Sequence, residues 1–182
     1  MMIKAILFDI SGVLHVDNEP VNGAIEAIQL ARNEQIVVRF VTNTSRKTST
    51  DMLQSLLQMG FDLSVEEVLT APGAVKLALQ QRKLRPYCLV HEKLRPEFAD
   101  LDQSSPNAVV IADAGDGFNY ANMNRAFQLV MDGAPLLGIG LNRYFRQNEE
   151  LQLDAGPFIA ALEFACDVEA EILGKPAKAF FQ

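Results

Sequence analysis

Asp9 stands directly after the apolar run Ala5-Ile6-Leu7-Phe8 and opens the segment Asp9-Ile10-Ser11-Gly12. A carboxylate at the mouth of an apolar strand is costly unless it is used or paired. Two readings of it stand on the residues alone. It could attack phosphorus, forming an acyl phosphate that divides one hard hydrolysis into two easier steps, and ligate Mg2+ through oxygen. It could equally cap a turn with its own side chain. Gly12 offers a main chain that an anion can approach closely, with N–H donors and no Cβ in the way. A second polar segment, Thr42-Asn43-Thr44-Ser45, closes the apolar run Ile36–Val41. Its hydroxyl and amide donors suit phosphate oxygens near a helix N-terminus, and they suit a helix-capping turn as well. Arg46 and Lys47, just beyond, could assist an anion but read first as solvated. In Gly174-Lys175-Pro176 a lysine sits between a permissive residue and a stiff one. It is either a clamp on a phosphoryl oxygen or a surface lysine.

The elements that must carry these segments alternate along the chain. Apolar runs at 3–8, 36–41, 87–90, 108–112, 135–139 and 170–173 predict strands, the first of them buried. Helical spacing predicts helices over 23–35, 48–59, 72–82, 120–131 and 156–166, with a capped turn at 64–67. Strands separated by helices imply parallel βαβ units and an α/β class. In open α/β sheets ligands lie outside the carboxyl ends of the strands, which is where the first two polar segments fall.

Composition removes other function classes. The 182 residues carry 16 basic and 23 acidic side chains, a net charge of −7, with no basic run to neutralise a nucleic-acid backbone. No apolar stretch approaches the ~18 residues of a membrane span, and the opening Met-Met-Ile-Lys reads as a strand and not a signal peptide. The isolated cysteines, Cys88 and Cys166, predict buried, reduced thiols in a cytoplasmic protein. His15 and His91 are too few for a zinc site, and His15 reads as a satisfied loop histidine. Asp113-Ala114-Gly115-Asp116-Gly117 lacks the closing glutamate of a calcium loop. Gly138-Ile139-Gly140 lacks the third glycine of a dinucleotide fingerprint.

Taken in order, the strings Asp9-Ile10-Ser11-Gly12-Val13-Leu14-His15, Arg39-Phe40-Val41-Thr42-Asn43-Thr44, Asp132-Gly133-Ala134-Pro135-Leu136, Gly156-Pro157-Phe158 and Gly174-Lys175-Pro176 resemble the haloacid dehalogenase superfamily. The roughly 130 residues between the second and third motifs are similar to the arrangement of its α/β-capped phosphatase subfamily. The resemblance implies a Rossmann-like core with a parallel sheet, split by an inserted α/β cap. Residues 1–72 would begin the core, 73–172 form the substrate-specificity cap, and 173–182 return to the core, which ends C-terminally incomplete. It further implies Mg2+-dependent hydrolysis of small phosphorylated compounds through an aspartyl phosphate. Asp9 would be the nucleophile and a metal ligand, and the Ser11 carbonyl a second ligand. Ile10, Ser11, Gly12, Thr42, Asn43 and Lys175 would surround the phosphate.

Two positions depart from the family pattern. Ser11 replaces the aspartate that serves as general acid and base, and a hydroxyl is a poor proton shuttle. This predicts slow turnover, or substrates with good leaving groups such as phosphoramidates or pyrophosphate. The acidic motif expected after the lysine, with the third metal ligand, would lie beyond Gln182. The 182-residue chain alone is therefore expected to be inactive and, with a bare first strand, to pair with another chain, in the simplest case as a homodimer. The alternative function is a non-catalytic pseudo-phosphatase, or a truncated product, that binds phosphorylated ligands or partner proteins.

Overall fold

A computed structural model describes residues 3–147 and 149–181. The chain divides into two compact units, Met1–Thr42 with Ser49–Thr70, and Asn43–Thr48 with Ala71–Gln182. The fold is mixed α/β, with parallel sheets in both.

In the first unit β1 (Ala5–Asp9) leads through the short hairpin strands β2 (His15–Val16) and β3 (Glu19–Pro20) to α1 (Ala24–Asn33), β4 (Val37–Thr42), α2 (Ser49–Gln58) and β5 (Val68–Thr70). The sheet has the order β1-β4-β5, parallel throughout, with Ala5 opposite Val37 and Asp9 opposite Val41. Ala24, Ile28 and Ala31 recur at helical spacing on the buried face of α1, and Met52 and Leu56 do so on α2. They pack with Ile10, Leu14, Val38 and Phe40 into one apolar cluster, against which Ile6 and Phe8 of β1 are half-buried. Arg32 in the last turn of α1 holds Glu67 through both carboxylate oxygens at 2.9 and 2.7 Å. Glu67 also completes a capping box with Ser64, as expected of the turn at 64–67.

The first strand is not buried as its composition predicts. It pairs with β4 alone among the described residues, and Ile3 and Leu7 are 65% and 51% exposed. The helices cover one face only, so alternate side chains of an apolar strand meet solvent.

The second unit runs α3 (Ala71–Gln81), β6 (Pro86–Leu89), β7 (Ala108–Ile111), α4 (Tyr120–Met131), β8 (Leu136–Gly138), β9 (Tyr144–Gln147), β10 (Glu150–Leu153), α5 (Ala155–Cys166) and β11 (Glu171–Ile172). Its four-stranded parallel sheet has the order β11-β8-β7-β6. Every residue of β7 is fully buried. Ala126, Leu129 and Val130 of α4 and Ile159 and Leu162 of α5 share a cluster with Val109 and Ile111. The antiparallel hairpin β9–β10 carries no buried side chain and was not expected from the sequence. Cys88 and Cys166 are free thiols, as expected, but each is only partly buried. Among the described residues no helix is long and apolar enough to cross a membrane.

Candidate active site

Asp9 is the last residue of β1, exposed at the carboxyl end of the first sheet. Its Oδ1 accepts the Ile10 N–H at 2.8 Å, so the carboxylate is fixed against the turn that follows. Ile10 carries that turn. Its N–H donates to the Val41 carbonyl at 3.2 Å, and its own carbonyl accepts from Leu14 at 2.9 Å. Gly12 adopts φ 79°, and nothing lies within 4 Å of the position a Cβ would take. The glycine answers to backbone conformation, and the space beside it is open. Thr42 ends the neighbouring strand β4 and is 2% exposed. The first unit thus brings Asp9, Ile10, Ser11, Gly12 and Thr42 to the ends of two adjacent strands.

His15 corrects one expectation. It is buried beside this turn, bridged to Ser11, and its Nδ1 lies 2.8 Å from the Asp17 carbonyl. Its Nε2 has no hydrogen-bond partner, so the histidine is only half satisfied.

The second unit holds the other two expected residues, also at the carboxyl edge of a parallel sheet. Asn43 Nδ2 donates to the Lys175 carbonyl at 2.8 Å, and the Lys175 N–H donates to Asn43 Oδ1 at 2.7 Å. One side-chain amide therefore occupies both main-chain groups of Lys175, across 132 residues of sequence. Gly174 makes this approach possible, since a Cβ there would overlap the Ile139 carbonyl oxygen and sit 2.9 Å from Asn43 Oδ1. Lys175 is half-buried and joined to Pro176 by a cis peptide.

Arg46, its side chain 36% exposed, is a paired residue and not merely a solvated one. Its Nε donates to Oδ2 of Asp113, a carboxylate only 2% exposed, and its Nη1 donates to Gln147 Oε1 at 3.0 Å. Its guanidinium lies 4.6 Å from the centre of the Phe145 ring. Asp113 Oδ1 accepts the Gly115 N–H at 3.0 Å, so Asp113-Ala114-Gly115 is an anchor for an arginine. Residues 113 and 46 lie 67 positions apart, and no local spacing announces the pair. Asp154, by contrast, is held locally. It is 7% exposed, accepts the Ala155 N–H at 2.7 Å and caps α5. Asn43, Ser45, Asp113, Asn142 and Asp154 line one small concavity of the second unit.

A sequence profile of haloacid dehalogenase-like hydrolases matches residues 6–104. The chain belongs to this family. It is 45% identical over 186 residues to the phospholysine phosphohistidine inorganic pyrophosphate phosphatase of Bos taurus, covering 99% of this chain and 69% of that protein. To the haloacid dehalogenase-like hydrolase domain-containing protein 2 of Rattus norvegicus it is 43% identical over 180 residues, covering 99% and 70%. Among solved structures, the p-nitrophenyl phosphatase from Archaeoglobus fulgidus superposes with a TM-score of 0.88 over 98% of this chain and 71% of that one. At 21% identity that likeness is one of fold. It covers both parallel sheets of this haloacid dehalogenase-like chain.

Proposed function

We propose that this haloacid dehalogenase-like hydrolase is a Mg2+-dependent phosphatase of small phosphorylated compounds, with Asp9 as nucleophile. The observation that carries the reading is the exposed Asp9 carboxylate at the carboxyl end of β1, followed by a turn that needs Gly12 at positive φ. The 45% identical relative from Bos taurus supports it, since that protein is a phospholysine phosphohistidine inorganic pyrophosphate phosphatase. Residues 1–72 begin the core in this reading, 73–172 form the cap and 173–182 return to the core.

An Asp9 oxygen attacks phosphorus in line, and the bond from phosphorus to the leaving atom breaks. Water then attacks the phosphorus of the aspartyl phosphate, releasing inorganic phosphate and restoring the carboxylate. Ser11, Thr42, Asn43 and Lys175 take the phosphate-binding roles that the family motifs assign, beside Ile10 and Gly12, whose N–H groups already donate to the Val41 and His15 carbonyls at 3.2 and 2.8 Å. The Ser11 hydroxyl donates a hydrogen bond to the leaving atom but moves no proton efficiently, so leaving groups of low basicity are favoured.

The Asp9 carboxylate and the Ser11 carbonyl are hard oxygen donors, which fit Mg2+, an ion that keeps several waters and takes one or two carboxylates. When bound, the ion neutralises charge on the transferring phosphoryl oxygens. Asp9 and the Ser11 carbonyl are the two protein ligands that this reading assigns to it. Ser11, in place of the family's general acid and base, favours a second reading in which the chain binds phosphorylated ligands without turnover.

Phosphate release from p-nitrophenyl phosphate and from pyrophosphate, with and without Mg2+, separates the two readings. The phosphatase reading expects slow Mg2+-dependent release that Asp9→Asn abolishes. No release, with phosphate-ester binding intact in Asp9→Asn, supports the binding protein.

A further inference from the structure

A carboxylate as buried as Asp113 is costly unless it is paired and hydrogen-bonded. Its partner comes from the loop that carries Asn43. That loop is held at two points. Asn43 grips both main-chain groups of Lys175, and three residues later Arg46 reaches Asp113, Gln147 and the ring of Phe145. A guanidinium does this because it is planar, carries five donors in a fixed fork and stacks on aromatic rings. A lysine ammonium is a point charge and cannot serve the carboxylate, the amide oxygen and the ring face in one geometry.

We propose that Arg46 is a positioning residue, which locks the 43–48 loop to the loop after β7 and to strand β9 so that Asn43, Lys175 and the β9–β10 hairpin hold one arrangement. Arg46 itself touches no reacting atom. The catalytic consequence rests on the phosphatase reading, in which Asn43 and Lys175 bind the transferring phosphate. The hairpin adds to the inference. Its side chains are half-buried at Phe145 and exposed elsewhere among the described residues, so its own packing fixes it weakly. Arg46 supplies β9 with a hydrogen bond to Gln147 and a cation–π contact on Phe145.

Arg46→Ala leaves Asp113 buried without its cation and could unfold the second unit. Arg46→Lys, which keeps the charge, and Asp113→Asn, which keeps an acceptor, are therefore the deciding variants. Hydrogen exchange on the full 182-residue chain reads the lock directly. In Arg46→Lys, exchange is expected to speed up in 43–48 and in 144–147 together, while the amides of β1 and β7 stay as in the wild type. Faster exchange in 43–48 alone, or no change in either segment, overturns the proposal.

Kinetics with p-nitrophenyl phosphate reads the consequence. Arg46→Lys and Asp113→Asn are each expected to lower kcat/KM about 10- to 100-fold, mostly through KM, and their effects are expected not to add. A loss confined to kcat, tracking the folded fraction, marks a merely structural role and also overturns it. If the wild type releases no phosphate, the phosphatase reading fails and exchange alone decides on Arg46.

Discussion

β1 and β7 are both short apolar strands that end in a polar loop bearing an aspartate, yet they live in different surroundings. β7 lies between two parallel partners with every side chain fully buried. β1 has one partner among the described residues and exposes Ala5, Leu7 and Asp9. The aspartates at or just beyond their ends differ too. Asp113 is enclosed and neutralised by Arg46, whereas Asp9 faces solvent. A carboxylate that attacks a substrate must be reachable, and one that anchors an arginine works best away from water. Asp113 is buried where Arg46 of the 43–48 loop reaches it, and Asp9 is exposed at the end of a strand with one partner among the described residues.

Core truncations test that contrast most sharply. Ile111→Ala at the end of β7 is expected to cost about 2–5 kcal/mol in urea unfolding, as for a packed aliphatic side chain cut back to alanine. Leu7→Ala in β1 is expected to stay within about 1 kcal/mol, because half of its surface already meets water. Equal losses at the two positions would mean that β1 is as enclosed as β7.

A smaller effect comes from the second sheet's own edge. Cys88 lies in β6, the outer strand, and burial pushes its thiol up to about 12 against a weaker opposing influence from Arg95. It is therefore protonated at neutral pH. Disulfide-exchange reagents at pH 8 are expected to label it far more slowly in the folded chain than in the urea-unfolded one. Because the folded value lies above the unfolded value near 9, the thiol's contribution to stability is complete below pH 9. It is lost as the pH rises from there towards 12. Fast labelling would make the edge at β6 as open as that at β1.

The least effect is expected from Arg82 of the loop after α3 and Glu171 of β11, joined through both carboxylate oxygens at 2.5 and 2.6 Å. The hydrogen bonds from Arg82 hold the Glu171 carboxyl below its ordinary range. The pair's contribution is thus present above that range and fades as the pH falls through the lowered value. Both side chains are more than a third exposed, so solvent screening keeps Glu171→Gln under about 1 kcal/mol.

Much of this architecture is legible in local pattern. The spacing of apolar residues marks α4 at 120–131, and Ser64 with Glu67 marks the capped turn, since both depend on neighbours three or four residues away. The hairpin β9–β10 is illegible for the opposite reason. Its side chains are mostly exposed, so no alternation of polar and apolar residues announces two strands. Of the proposed site, Asp9, Ser11, Gly12, Thr42, Asn43 and Lys175 stand out by residue type at strand ends. Arg46 and Asp113 do not, because each is one more charged residue until the other is beside it.

The sequence by itself determined the α/β alternation, the family and the order of its polar loops, because these are written in runs of adjacent residues. Only the tertiary structure decided that β1 is half-exposed while β7 is enclosed, that Asn43 holds the main chain of Lys175, and that Arg46 is bound to Asp113. Those outcomes depend on which distant segments become neighbours, and burial and charge pairing are properties of that neighbourhood rather than of any stretch of chain.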